Sequence, residues 1–183
     1  MNTKNFARLA LLTALSLILF AAEMALPAPI PVPGAKLGLA NVVTVWALYH
    51  CTAKETLLVL LARILLGALL SGNAGALIFS LSGGLLCLAG TLPLRRVIPE
   101  RRLWLCSAAS GALHNVGQLA AAIAVTKTAG LLSSLPFLLV SGIVCGSLTG
   151  QIAQQTSARL RYYRTRDRDD LPAQNLWPQV FDS

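Results

Sequence analysis

The sequence predicts an all-α integral membrane bundle of about six transmembrane helices. Composition is the first reason. Hydrophobic residues make up 55% of the 183 positions and charged residues only 12%, with a mean hydropathy of +0.66. That is too apolar for an ordinary soluble domain. The second reason is the recurrence of long apolar runs separated by short polar breaks, which fits about six spans of roughly 20 residues each. The third is where the basic residues fall. Lys4, Arg8, Lys54, Arg95, Arg96, Arg101, Arg102 and the arginines between 159 and 168 flank the apolar runs. Placing both termini in the cytoplasm puts all of these inside and leaves Lys36 and Lys127 outside, the asymmetry that orients a multi-pass protein. The same distribution turns the net charge of +8 away from nucleic-acid binding.

The first span is expected over about 5–26. Ala10 and Ala14 lie four apart on it, a small-residue face that admits a second helix. Glu23 near its end is either solvated at the interface or turned into a polar site. Pro27, Pro29, Pro31 and Pro33 then alternate with small and apolar residues. They favour a stiff extended segment, a semi-rigid lid or a spacer, which carries Lys36. The second span, about 37–50, is short for a crossing and holds Asn41 early.

The third span covers about 55–70, with Arg63 roughly 12 Å beyond Glu55. An arginine at that depth contacts an anion, pairs with a buried acid such as Glu23, or snorkels to the headgroups. Ser71-Gly72-Asn73 makes the outer turn. The fourth span, about 74–94, contains Ser80, Ser82, Gly83 and Gly84. The fifth, about 103–125, carries His114-Asn115-Val116-Gly117-Gln118, three hydrogen-bonding side chains inside an apolar run. Such groups survive in a membrane by facing the bundle interior, a cavity or a ligand. His114 and Gln118, four apart, share a helix face. The sixth span, about 131–152, holds Gly142, Gly146 and Gly150 at four-residue spacing, a smooth face for helix contact or for a docked partner. Residues 1–156 form the membrane domain and 157–183 a charged cytoplasmic tail. The four cysteines show no paired or metal-ligand spacing and read as small core residues.

Topology brings Glu23, Lys36, Asn41, Asn73, Asn115 and Gln118 to the outer half, with His114 nearer the midplane. That set suits a small polar molecule entering from outside. No cofactor or metal is expected. Prenyl chain elongation needs clustered carboxylates to hold Mg²⁺, and the chain has seven acids and no DDxxD pair. It has no phosphate-binding loop of the Gly-rich Lys-Ser/Thr type either. An enzyme is therefore not expected, and any driving force must come from a partner or an ion gradient.

Four stretches taken in order, Lys36–Thr44, Arg63–Asn73, Ser80–Gly84 and Gly111–Gln118, resemble the Gx transporter family, also labelled heptaprenyl diphosphate synthase component I. The likeness covers about residues 8–155. That family is similar to the substrate-binding S components of energy-coupling factor (ECF) transporters. The resemblance implies a six-helix S-component-like fold in the bacterial cytoplasmic membrane, surrounded by lipid, with a first loop closing over a small-molecule substrate. It implies contact of Ala10 and Ala14 with a coupling subunit that carries an ATPase. The component I label implies instead an accessory role beside a prenyl synthase or a redox complex.

Overall fold

The computed structural model describes residues 3–25 and 39–169, with the side chains of 74, 76 and 164–169 excepted. The Pro-rich segment, Lys36 and the last 14 residues, 170–183, lie outside the described residues. Every regular element described is helical. The order is α1 (Thr3–Ala25), α2 (Asn41–His50), α3 (Ala53–Ser71), α4 (Ala74–Val97), α5 (Leu103–Thr126) and α6 (Leu135–Asp169). Single 3-10 segments, Glu100–Arg102 and Ala129–Ser134, lead into α5 and α6. The charged extension after the sixth span, expected to start helical and fray, continues α6 as one helix to Asp169.

Helix ends follow local chemistry. Thr52 starts α3: its hydroxyl accepts from Glu55 N–H at 3.3 Å, and Glu55 Oε2 accepts from Thr52 N–H at 2.9 Å. The two orphan donors are satisfied reciprocally. Thr52→Ala is expected to cost about 1 kcal/mol. A thermal melt of the purified protein reads this as a modest drop in midpoint, and an unchanged midpoint would show that the box does not hold the helix start. Gly72 closes α3 at φ +61°, the left-handed conformation that favours glycine.

α5 is the centre of the bundle, packed most extensively on α6 and α4. Its glycines and theirs make the close approach possible. A Cβ on Gly117 would sit 2.7 Å from Ser82 O and 2.8 Å from Gly83 Cα. On α6, a Cβ on Gly142 would sit 2.7 Å from Gly111 O, and one on Gly150 2.7 Å from Trp104 Cα. Gly146 lies equally close to Ser107 O. Gly142, Gly146 and Gly150 are buried against α5. The expectation that they dock a second protein is thereby corrected: the stripe is used within the chain, where only hydrogen atoms fit between two backbones.

Three segments among the described residues are long and apolar enough to cross a membrane: Thr3–Ala25, Leu77–Val97 and Ala129–Tyr163. Only 22%, 28% and 17% of their most apolar windows are buried within the protein, so most of that apolar surface points outward. Leu11, Ile18, Leu69 and Ile152 are among the large side chains left exposed. A soluble monomer does not carry apolar surface on this scale; a membrane protein does. The α5 helix, with its polar stretch, is not among the three. A helix walled in by its own chain does not need a lipid-compatible surface.

The basic residues converge on one end of the bundle. Arg8 pairs with Glu55 at 3.4 Å, bringing together the starts of α1 and α3. Arg95 Nη1 donates to Leu48 O at 2.7 Å and the Tyr49 hydroxyl to Ile98 O at 3.1 Å. Glu100 meets His50 Nε2 and Arg161 Nη1, each at 3.3 Å. Partly exposed pairs of this kind contribute little. Glu100→Gln is expected to change unfolding free energy by less than about 1 kcal/mol; a larger loss in a chemical melt would make this junction a structural keystone.

Candidate functional site: a polar interior

The interior is built around one stripe of α5. Ser107, Ser110, His114 and Gln118 recur at three- and four-residue spacing, which places them on one side of a helix. All are buried, as is Asn115 beside them. Facing helices answer with polar groups of their own. Asn41 of α2 donates its amide Nδ2 to Ser110 Oγ. Cys87 of α4 donates to Asn41 Oδ1 at 3.3 Å and lies 2.8 Å from Ser110 Oγ. One side chain from each of three helices thus closes a small hydrogen-bonded ring, which satisfies groups that would be costly to bury alone.

Arg63 of α3 and Glu23 of α1 join this region. Arg63 is only 6% exposed, so it does not snorkel to the headgroups. It lies within electrostatic reach of Cys87 and of Glu23. Its Nε and Nη2 meet no hydrogen-bond acceptor among the described residues. Glu23 is turned inward, 7% exposed. Its Oε2 accepts from Leu39 N–H at 3.1 Å, and it lies within electrostatic reach of Cys145 on α6. Ser16, about two turns earlier on α1, donates to Ala40 O at 3.2 Å. These two contacts fasten the approach to α2 onto α1. Helices α1 to α5 therefore each supply a buried polar side chain to the middle of the bundle, and α6 offers the Leu138 carbonyl.

Gln118 and His114 occupy the wall between α5 and α4. A Cβ on Gly83 would stand 2.8 Å from Gln118 Cγ and from His114 O, so the glycine is what lets these side chains settle. Both the amide nitrogen and the amide oxygen of Gln118 are buried and unpartnered among the described residues. Asn115 has another use. Its Nδ2 donates to Leu138 O at 2.8 Å, which ties α5 to the first turns of α6.

Not every expected residue joins this set. Asn73 is exposed in the turn before α4, where its side-chain oxygen accepts from Gly75 N–H at 2.9 Å. It is a turn residue there, and its place among the interior groups is corrected accordingly. Lys36 lies outside the described residues. Ala10 and Ala14 are exposed on the outer side of α1. They line a groove of about 410 Å³ between α1 and α3, together with Phe6, Leu17, Leu58 and Leu66. Ser110 and Cys87 belong to the interior and were not singled out from the sequence. Ser110 was legible: it stands four residues before His114 on the same face. Cys87 carried no such signal, since a cysteine in an apolar run reads as core.

The chemistry open to this interior is hydrogen bonding and charge recognition. No group of three or more His, Cys, Asp or Glu side chains gathers as metal ligands among the described residues. A search of curated proteins and of solved structures finds no match to the chain. Residues 12–156 match the model of one family, described as heptaprenyl diphosphate synthase component I. That match covers most of the polypeptide, including α2 to α5, and the chain belongs to the heptaprenyl diphosphate synthase component I family.

Proposed function

We propose that this protein is a non-catalytic subunit of the cytoplasmic membrane whose six-helix interior binds a small metabolite and passes it to, or shares it with, a partner. The observation that carries this reading is the buried polar set contributed by α1 to α5, with Gln118 and Arg63 left unsatisfied inside it. Evolution does not keep an unsatisfied amide and a buried guanidinium in a bundle core for packing alone, because each costs free energy. His114, Asn115, Gln118, Asn41, Arg63 and Glu23 are the proposed ligand-facing residues, with Lys36 above them. About six spans cross the bilayer, α2 (Asn41–His50) being too short to do so by itself, and both termini lie in the cytoplasm. The support is the basic collar at one end of the bundle, which matches the positive-inside rule.

The likeness to ECF S components supports a partner of the coupling type, driven by a separate ATPase. Ala10 and Ala14 on the floor of the α1–α3 groove are its proposed contact. A second reading has a specific observation behind it. The family's description names a component of a prenyl diphosphate synthase, so an accessory role beside that enzyme is the alternative partner relationship.

The test is extraction of the full-length protein in mild detergent, followed by identification of small molecules released on denaturation. The wild type is expected to carry a metabolite that His114→Ala, Asn115→Ala and Gln118→Ala together remove. Full retention by the triple variant would exclude this interior as the site. A ligand-free protein arriving with a prenyl synthase would favour the accessory reading.

A further inference from the structure

The interior carries a more specific instruction than polarity. Arg63 offers two donors, Nε–H and Nη2–H, that no described residue accepts. They lie on the same edge of the guanidinium. That edge is the fork that meets two oxygens of a carboxylate or phosphate in parallel, and it is why arginine rather than lysine recognises such groups. The side chain is buried and lies within electrostatic reach of Glu23 and Cys87. Its neighbour Ile64 abuts Gly84, and the adjacent Gly83 abuts Gln118. The unsatisfied amide of Gln118 therefore stands at the same level of α4. Two unspent hydrogen-bonding groups, one of them charged, thus sit at one depth inside the bundle.

We infer that the ligand of this interior is an anion, a molecule presenting a carboxylate or phosphate, held side-on by the Nε/Nη2 edge of Arg63 with Gln118 serving its polar remainder. The assignment rests on the binding reading above and narrows it to a substrate class. Solvation alone does not explain the residue well. Apolar side chains in place of both buried Arg63 and buried Glu23 would remove a large desolvation cost, so the charges are retained for something that uses them. Glu23 limits the net charge of the pair, so that one added anion is tolerated.

The test uses the full-length protein in nanodiscs of zwitterionic lipid, titrated with inorganic phosphate and with acetate. Chloride at equal ionic strength is the reference. Wild type is expected to gain about 2–4 °C in melting midpoint over the chloride reference at saturating phosphate. R63Q loses the gain while keeping all the cytoplasmic arginines, and R63K, which keeps the charge but not the fork, binds at least tenfold more weakly. Q118L lowers the gain without removing it. An R63K response equal to wild type overturns the side-on fork, and equal responses of wild type to phosphate, acetate and chloride overturn the anion. R63K also keeps the question decidable if R63Q does not fold. Repeating the titration in phosphatidylglycerol nanodiscs separates the sources: a phosphate effect lost there makes the occupant a lipid headgroup, and one retained makes it a soluble anion. If a co-purifying metabolite is uncharged and is lost from the His114/Asn115/Gln118 triple variant, the anion assignment fails while the binding reading stands. No metabolite and no anion response together overturn both.

Discussion

Gly146→Val is expected to break the α5–α6 interface and give the largest loss of folded protein of any single substitution here. Position 146 faces the backbone of Ser107 and Ala108, with a built Cβ only 2.9 Å from Ala108 Cα. Backbone cannot rotate away as a side chain can, so the helices must separate. Overpacking of this kind typically costs about 1–3 kcal/mol, and the loss of the Asn115–Leu138 hydrogen bond as α6 shifts would add to it. Fluorescence-detected size exclusion after a heat challenge measures the surviving fraction. Gly130→Ala is the control, because among the described residues only the methyl of Thr128, at 3.9 Å, approaches that site. Equal survival of the two variants would mean that α5 and α6 are not held backbone to backbone.

Arg63→Met combined with Glu23→Gln, which leaves no stranded buried charge, is expected to act in the opposite direction on stability. It removes two buried donors that meet no acceptor among the described residues and fills the space with a flexible apolar chain. Each unsatisfied buried polar group costs about 1–3 kcal/mol, so the variant is expected to unfold later than wild type by an amount in that range. Its response to phosphate is expected to vanish. A core that grows more stable when a charge is removed, while losing a ligand, keeps that charge for function. Destabilisation of the double variant by more than about 1 kcal/mol would instead make Arg63 and Glu23 a structural pair that holds the bundle together.

Much of the fold was legible because membrane helices announce themselves by apolar length. The starts of α3, α4 and α5 were expected within a few residues, because Glu55, the Ser71-Gly72-Asn73 turn and the arginine loop punctuate them. The end of α6 was not. Its apolar run stops near Ile152, but buried Ala153 and Ser157 and the Arg161–Glu100 pair carry the helix on along the bundle. The site was partly legible. His114 and Gln118 are expensive in hydrocarbon, and that expense points inward. Glu23 and Arg63 were read as open between lipid interface and interior, since depth along a helix does not give the direction of a side chain around it. The Gly142/Gly146/Gly150 stripe was correctly a contact face, but sequence alone does not say whether its partner lies within the chain. Asn73 was placed in the set by depth, and its exposure takes it out.

The central claim is that the polar middle of the bundle admits a ligand rather than serving only as core. Cys87 and Cys106 test it inside one molecule. Both thiols are fully buried. Cys87 is hydrogen-bonded to Asn41 and Ser110 in the polar interior, whereas Cys106 belongs to an apolar cluster with Val45 and Leu103. The measurement is the rate of modification of each by a small, anionic, water-soluble methanethiosulfonate reagent, in membranes containing the otherwise cysteine-free protein. Cys87 is expected to react at least tenfold faster than Cys106 and to be protected by millimolar phosphate. Equal, slow modification of the two, unaffected by phosphate, would contradict the account and leave the interior as packing.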